Sequence, residues 1–387
     1  ATTAAQLVEA HAFAYGGATI QDAGYYPFGH EFFSDLTHYA RTGDFVLSLL
    51  RNSRNVDEYA FAIGALAHYL GDNIGHQDAI NPATAIEFPK LAREYGAVVT
   101  YDQSPHSHVR TEFAFDIDAL SKHRFAPGAY LRTIGIRVPR PLLERAFGET
   151  YGLTLHEVLG DELPALRSYR SSVRSFLPRV AAAEVVIHRD HFPADAPTPA
   201  FEQYQQAVSR VEAAHHWERY RRKKPTFMTE VLAVVIRILP KVGAASDLAI
   251  RGPSQFTQNW YVESVNRTLA AYQGMLKQLT EDPRAQPALP DRDLDTGYPV
   301  TPGAYSLTDD TYAKLLHQLT SRNSRAVPRA VPERLRVNIL AFYSDLNAPF
   351  ATKRNQRAWA RVLADLSLLR QMPTRPCASG SSTPGRG

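Results

Sequence analysis

Residues 65–76, ALAHYLGDNIGH, place His68, Asp72 and His76 at intervals of four residues. In an α-helix, side chains four residues apart lie on the same face, so His68 and Asp72 can reach one point in space. Imidazole nitrogen and carboxylate oxygen are the ligands that zinc takes where no thiolate is offered. A hydrogen-bonded helix end without a metal is the alternative, and this pair alone does not decide between them.

A second pair at the same interval strengthens the metal interpretation. His108 and Glu112 also stand four residues apart, and His106 comes just before them. Buried imidazoles and carboxylates without partners are costly, whereas a bound metal cluster satisfies them together. The first 125 residues also hold eight of the fourteen histidines of the chain: His11, His30, His38, His68, His76, His106, His108 and His123. The sequence therefore predicts a metal centre in this part of the chain.

Residues 14–45 supply the remaining candidate ligands. Among aromatic and glycine residues stand four side chains of the right type: Asp22, His30, Asp35 and His38. The glycines predict turns and close backbone approach, rather than a regular helix, before about Phe32. The aromatic side chains can line a cleft or pack in the core, and the sequence leaves both open. Asp35 can likewise orient a ligating imidazole or cap a helix.

The elements that position these residues are predicted to be helices. Residues 57–76 have apolar side chains at helical spacing, and Gly71 and Gly75 predict that this helix ends or bends, which would turn His76 towards a second metal. Residues 95–102 are the best strand candidate, with an extended connection as the alternative. Long helical patterns follow in three stretches: 155–187, 198–224 and 259–280. The predicted fold class is all-α.

The C-terminal part of the chain is predicted to be separate from this helical domain. Residues 281–304 are dense in Pro, Asp and Gly, the composition of an exposed linker. Two amphipathic helices are predicted within 305–371, and residues 372–387 lack any core-forming pattern and are expected to be disordered. The expected order is a helical domain over 1–280, the linker, a C-terminal helical extension and a tail.

Composition excludes several classes of protein. The 387 residues are 44% hydrophobic, enough for one large domain or two ordinary ones. No apolar run reaches the ~18 residues that span a bilayer, so no transmembrane segment is expected. The net charge of +4 is too small to indicate nucleic acid or membrane as a partner. The chain also lacks a P-loop, an H-E-x-x-H zinc protease motif and a nucleophile elbow.

The chain order of these residues resembles the zinc-dependent phospholipase C family. That family presents an Asp and a His, then His-x-x-x-Asp with a further His, then His-x-x-x-Glu, and the single-strand-specific zinc nucleases share its fold. More closely, residues 12–46 and 58–76 look like the bacterial zinc-dependent phospholipase C-like proteins. The resemblance implies a multi-helix bundle with long irregular loops, and its ligand motifs cover about residues 11–116.

The resemblance implies zinc as the cofactor, two or three ions in number, held by seven ligands: Asp22, His38, His68, Asp72, His76, His108 and Glu112. Asp72 is expected to bridge two ions, and Asp22 is expected also to orient or deprotonate the attacking water. Four more residues are expected as additional ligands or supporting groups: His11, His30, Asp35 and His106. The family completes its third zinc with an N-terminal histidine, which is expected upstream of this chain, with His11 as the substitute.

Zinc ions held in this way bind phosphate oxygens and lower the pKa of a water towards ~7. The leading hypothesis is therefore a zinc-dependent phosphodiester hydrolase of phospholipase C type, acting on a phospholipid or another phosphodiester with transient contact to a membrane surface. One alternative is a zinc nuclease on the same fold, although no basic and aromatic stripe supports it. The other is a non-catalytic, zinc-stabilised binding protein. Exported relatives imply a secreted or periplasmic location.

Overall fold

The computed structural model of the protein describes residues 3–187, 192–221, 252–281, 287–321 and 330–376. These residues form an all-α bundle, as predicted. Its helices are α1 (Ala4–Gly17), α2 (Glu31–Tyr39), α3 (Thr42–Asn52), α4 (Val56–Gly75), α5 (Asn81–Glu87), α6 (Pro89–Tyr95), α7 (Pro105–Ser121), α8 (Gly128–Ile134), α9 (Arg140–Tyr151), α10 (Leu155–Leu159), α11 (Glu162–Ser171), α12 (Leu177–Ile187), α13 (Pro199–His215), α14 (Gln255–Glu281), α15 (Ser306–Thr320), α16 (Glu333–Phe342) and α17 (Gln356–Gln371).

Shorter elements connect these helices. Two strands of two residues each, β1 (Val331–Pro332) and β2 (Thr374–Arg375), pair in parallel. Five short turns are 3₁₀- or π-helical: Ile20–Tyr25, His76–Ile80, Ser172–Phe176, Trp217–Tyr220 and Ala351–Arg354. Within the described ranges, every helix is too short or too polar to cross a membrane.

Helices α1 and α4 cross at glycine residues, and this crossing forms one wall of the candidate site. A Cβ atom at Gly17 would lie 1.9 Å from the carbonyl oxygen of Phe61, and one at Gly64 would lie 2.1 Å from that of Ala14. Only glycine permits such an approach of two backbones. The predicted close approach is therefore present. The predicted absence of a regular helix before residue 32 is wrong for α1, which continues to Gly17 because its packing against α4 stabilises it.

The α-helical pattern of α4 ends at Gly75, one of the two glycines at which the sequence predicts an end or a bend, but the chain continues as a helix. Helix α4 begins after Asn55, whose side chain accepts a hydrogen bond of 2.9 Å from the main-chain nitrogen of Glu58. After Gly75 the hydrogen-bonding pattern widens from α to π over His76–Ile80 and then returns to α in α5. Such π turns inside helices are frequent at functional sites. His76 is thus the first residue of a widened turn, not of a new direction of the chain.

One hydrophobic cluster joins the N-terminal helices to the C-terminal ones. Phe33 of α2 stacks on Phe147 of α9 with ring centroids 5.1 Å apart, and the same buried cluster contains Tyr312, Leu335 and Leu366 from α15, α16 and α17. The helices within 305–371 therefore pack on the core built by the first half of the chain. Helix α17 was not anticipated from the sequence. The division of the chain into domains remains a prediction.

The segment expected to be an exposed linker is only partly exposed where the structure describes it: seven of residues 287–304 are buried and six are exposed. Leu289, Asp293, Leu294 and Asp295 are among the buried ones. The expectation of exposure was wrong for them because composition does not show that these carboxylates have partners. Asp293, for example, accepts a hydrogen bond from the hydroxyl of Thr308. Buried polar groups are tolerated when they are hydrogen-bonded.

The structure also describes the strand candidate at residues 95–102 and the start of the C-terminal tail. Residues 95–102 contain no strand: residue 95 ends α6, residues 96–100 form an irregular connection and a turn follows at residues 101–103, so the alternative of a connection is closer to the structure. Residues 372–376, the start of the tail expected to be disordered, are placed against β1, and the side chain of Met372 is buried in the main cluster. Residues 377–387 lie outside the described residues.

Candidate metal centre

Two groups of potential ligands lie in one cleft. Group 1 consists of Asp22, His38 and His68, and group 2 consists of His76, His108 and Glu112. Within each group, one nitrogen or oxygen atom from every residue lies within 4.8 Å of the others. The structure therefore brings six of the seven expected ligands together as two sets of two imidazoles and one carboxylate.

Group 1 is assembled from three separate elements of the N-terminal region. Asp22 lies on the 3₁₀ turn Ile20–Tyr25, His38 in the last turn of α2, and His68 in the middle of α4. Nε2 of His38 lies 3.3 Å from Oδ1 of Asp22, and the rings of His38 and His68 stand nearly perpendicular, 5.5 Å apart. Three side chains from separate elements thus face one point.

Asp72, the seventh expected ligand, adjoins group 1 and precedes group 2 by one turn of α4. Its Oδ2 atom lies 2.9 Å from Nε2 of His68 and 3.5 Å from Nε2 of His38. The predicted one-turn pairing of His68 and Asp72 is therefore present in the structure. Its place between the groups is compatible with the bridging role that the family resemblance implies.

Group 2 is assembled at the π turn and at helix α7. Oε1 of Glu112 lies 2.9 Å from Nε2 of His76 and 3.0 Å from Nε2 of His108. His108 and Glu112 are one turn apart on α7, as their spacing predicts, whereas His76 reaches them from the start of the π turn. The two imidazoles and the carboxylate therefore meet at a single oxygen atom.

Main-chain carbonyl oxygens orient three of the four histidines, His38, His68 and His76. The Nδ1 atom of each lies against one of them: Ser34 at 2.8 Å, Ala18 at 3.1 Å and Leu294 at 2.7 Å, respectively. Because a carbonyl oxygen only accepts, a neutral imidazole held this way carries its proton on Nδ1 and presents the lone pair of Nε2 to the cleft. This is the arrangement that metal-binding histidines adopt.

The cleft fits a bound cation. Nε2 of His68 is buried and lies 2.9 Å from a carboxylate oxygen of Asp72, yet the two atoms do not have the geometry of a hydrogen bond. Among the described residues that line the cleft, none is lysine or arginine, although six are Asp or Glu. Imidazole nitrogens and carboxylate oxygens are zinc ligands, and both groups provide three of them. The residues present therefore fit zinc.

The pKa values of residues in and beside the two groups also indicate that their carboxylates are stabilised by positive charge. Burial lowers the pKa of His38, but contacts with Asp22 and Asp72 outweigh it and hold the pKa well above its usual value. Burial also lowers the pKa of His76, but Glu112 and Asp72 outweigh this effect and raise the pKa to about 10. The pKa of Asp72 is held well below its usual value by the neighbouring imidazoles, against the effect of burial. In the absence of a metal ion, protons on the imidazoles thus balance the negative charge of the carboxylates.

The cleft has a volume of about 1240 Å³ and a mixed lining. A Cβ atom at Gly71 or Gly75 would meet nothing within 4 Å, so these glycines leave open space beside His68, Asp72 and His76. Aromatic side chains form much of the remaining wall: Tyr25, Tyr26, Phe28, Tyr101 and Tyr261. Phe28, which is 76% exposed, and Tyr25, which is 48% exposed, stand at the mouth. Both alternatives that the sequence left open therefore apply: some aromatics of residues 14–45 line the cleft, whereas Phe32 and Phe33 pack in the core.

The four additional candidates lie outside both groups. His30 lines the cleft, and its Nδ1 accepts a hydrogen bond of 3.2 Å from the nitrogen of Phe32 at the start of α2. Since His30 holds the cap position, the alternative that Asp35 caps this helix is wrong; Asp35 forms an ion pair of 3.2 Å with Lys314. The ring of His11 packs against that of His215, 5.0 Å away. His106 is exposed.

Sequence reasoning missed Leu294 and Asp295, which touch the centre from the C-terminal half. Both belong to the segment whose composition indicated a linker. A local signal was the presence of apolar Leu289, Leu294 and Val300 within that polar stretch. Asp116, whose position one turn after Glu112 is evident from the sequence but which is not among the expected ligands, also lines the cleft; burial and the charge of Glu112 raise its pKa to about 7.

The fold and the donor set define an all-α protein with a site that fits zinc. Residues 2–160 match the family model described as zinc dependent phospholipase C, and all seven expected ligands lie inside this stretch. This match confirms the resemblance of residues 2–160 to the zinc-dependent phospholipase C family. Comparisons with curated proteins and with solved structures gave no significant match.

Proposed function

We propose that this protein is a zinc-dependent phosphodiester hydrolase of phospholipase C type. The observation that carries the proposal is the pair of groups, each with two imidazoles and one carboxylate, that open into one cleft. The family match supports zinc and hydrolysis at the level of the family. A single structural metal would not require two such groups beside an open cavity.

In this proposal Asp22, His38 and His68 would hold one zinc, and group 2 would hold another. Asp72, beside His68 and His38 and one turn before His76, would serve both ions. When bound, zinc supplies positive charge for the phosphate oxygens and lowers the pKa of a water to near neutrality. The carboxylate of Asp22 is one-third exposed to the cleft, so it can orient the attacking water and accept its proton. A third zinc that includes His11 has no support from the position of that side chain.

The lining of the cleft favours a phospholipid over a nucleic acid. The exposed rings of Tyr25 and Phe28 at the mouth offer contact to acyl chains or to the surface of a bilayer during a transient encounter. A nucleic-acid groove combines stacking aromatics with basic side chains. In the described lining the aromatics are present but lysine and arginine are not. A secreted or periplasmic location is part of the same proposal and rests on the family.

Metal analysis combined with turnover tests the proposal. The full chain is stripped with a chelator, reloaded with Zn²⁺ and assayed with phospholipid vesicles, a soluble phosphodiester and single-stranded DNA. We expect at least two zinc ions per chain and zinc-dependent release of diacylglycerol and a phosphorylated head group. The His317→Asn variant is a matched control, because His317 pairs with Asp365 at 3.0 Å on the C-terminal helices, away from the cleft.

The alternatives give different results in the same experiment. Zinc-dependent cleavage of DNA with no action on lipid would establish the nuclease. Bound zinc without turnover of any of the three substrates would establish the non-catalytic binding protein. A chain that binds no zinc would exclude all three interpretations.

A further inference from the structure

Residues 290–297, which we call the strap, lie outside the family-matched stretch and contact α2, α3, α4 and the π turn that begins at His76. The carbonyl oxygen of Pro290 accepts a hydrogen bond of 2.5 Å from the hydroxyl of Tyr69 on α4. The hydroxyl of Thr42, at the start of α3, donates to the carbonyl oxygen of Arg292 at 2.8 Å and accepts from its nitrogen at 3.0 Å. The strap is therefore fixed to two helices before it reaches the ligands.

Leu294 contacts one residue of each group through its main chain. Its nitrogen donates to the carbonyl oxygen of His38 at 3.0 Å, and its carbonyl oxygen accepts from Nδ1 of His76 at 2.7 Å. The side chain of Leu294 is fully buried among apolar residues that include Leu66 and Leu70 of α4. The carbonyl that orients His76 is thus itself held in place by packing.

Asp295 anchors the strap at the edge of the cleft. Its Oδ2 atom accepts hydrogen bonds from the hydroxyls of Tyr39 at 2.7 Å and Tyr305 at 2.9 Å. Its carbonyl oxygen accepts from the side-chain nitrogen of Asn81 at 2.7 Å. Tyr39 follows His38, and Asn81 follows the π turn that begins at His76. Asp295 therefore connects the neighbours of both ligands to helix α15.

Gly297 closes the strap against α4 with a backbone that only glycine accommodates easily. Its φ is +69°, and a Cβ atom would lie 2.2 Å from the carbonyl oxygen of Asn73. Asn73 precedes His76 by three residues on the same helix. A side chain at position 297 would therefore push the strap away from the turn that carries His76.

We propose that the strap is a positioning element of the metal centre, in which the Leu294 carbonyl holds His76 ready to bind zinc. This rests on the proposed zinc centre. Groups that orient a ligating imidazole typically change metal affinity by ~10–100-fold when they are disturbed. The strap contacts His76 at the imidazole but His38 only at the main chain, and His38 already has Ser34 as its anchor. Group 2 should therefore depend on the strap more than group 1 does.

The test compares two glycine variants of the full chain. Gly297→Ala should weaken one class of zinc site by ~10–100-fold and leave the other class unchanged. Gly303→Ala is the matched control: its φ is +79° and its Cβ would lie 2.9 Å from Pro349, so it carries similar strain without a contact to either group. Zn²⁺ affinities are measured by competition with a chromophoric chelator, and Co²⁺ absorption reports the ligand geometry. A His108→Asn variant identifies which class belongs to group 2.

Asp295→Asn provides a second route if Gly297→Ala does not fold. This substitution keeps the shape of the side chain but replaces the carboxylate that accepts hydrogen bonds from two tyrosine hydroxyls. It should weaken the same class of zinc site. The inference is overturned if both strap variants bind zinc as the unchanged chain does, or if Gly303→Ala shows the same loss. A chain that binds no zinc before any substitution overturns the proposed function as well, so the two failures are distinguishable.

Discussion

Groups 1 and 2 have the same ligand types but are positioned by different parts of the chain. In group 1, His38 and His68 are oriented by the carbonyl oxygens of Ser34 and Ala18, both from the N-terminal region. In group 2, His76 is oriented by Leu294, which lies 218 positions away in sequence. Group 1 is thus oriented by contacts within the N-terminal region, while group 2 is complete only when the C-terminal half has packed against it.

The geometry of the candidate metal centre therefore depends on the fold of the C-terminal half as well as on the N-terminal helices. A family match that ends at residue 160 contains every expected ligand, yet one of the carbonyls that orient these ligands lies beyond it. The C-terminal helices share the main hydrophobic cluster with the N-terminal ones, and the hydroxyls of Tyr305 and Thr308 bond to the strap at Asp295 and Asp293. We therefore infer that removal of the C-terminal half would affect group 2 before group 1.

The largest expected effect comes from the residue that adjoins both groups. Asp72→Asn removes the negative charge that faces His68 and His38 and that lies one turn before His76. If Asp72 is shared by two ions, zinc content falls and hydrolysis drops by more than the ~100-fold upper value typical of supporting residues. Zinc content and phosphodiester turnover are measured on the same preparation.

Asp365→Asn is the control for the Asp72 substitution. Asp365 is also buried beside a histidine, with Oδ2 3.0 Å from Nδ1 of His317, but it lies on the C-terminal helices. It should cost stability without changing the zinc content. Full activity in Asp72→Asn would refute the shared role of this carboxylate.

The sequence predicted the ligands better than it predicted what orients them. The pairs His68–Asp72 and His108–Glu112 are local, since four residues make one turn of helix, and the structure places both pairs within 3.0 Å. The role of these residues as ligands stays a prediction. The contact of Leu294 with His76 has no local pattern, because it depends on how a polar, proline-rich segment folds back over the bundle. Composition alone cannot distinguish such a segment from an exposed linker.

Single-ligand variants should separate the two groups with a smaller effect than Asp72→Asn. His68→Asn removes a ligand of group 1, and His108→Asn removes one of group 2. Each variant should lose one class of zinc site and keep the other, because each group has its own carboxylate. Zinc titration with a competing chelator counts the remaining sites. Loss of both classes in either variant would mean that the groups form a single cooperative site.

The dependence of zinc binding on pH gives the smallest effect and applies to both groups. The pKa of His76 in group 2 is raised to about 10, and that of His38 in group 1 is also raised, in each case because neighbouring carboxylates outweigh burial. A raised pKa stabilises the folded chain fully below the unfolded value of ~6.5, and this contribution is lost as pH rises through the folded pKa. Without zinc, the chain should therefore lose stability above about pH 6.5.

Zinc needs the neutral imidazole, so it competes with these protons less as pH rises. Each displaced proton changes the free energy of zinc binding by ~1.4 kcal/mol per pH unit. The increase in melting temperature that zinc causes should grow from about pH 6 to about pH 8.5 in the unchanged chain, in His68→Asn and in His108→Asn. Thermal unfolding with and without Zn²⁺ measures it, with His317→Asn as the control. In one of the single-ligand variants, the increase in melting temperature caused by zinc could instead stay constant over this pH range. That result would show that protons do not occupy the group left intact in that variant. Competition between zinc and protons would then apply to the other group alone.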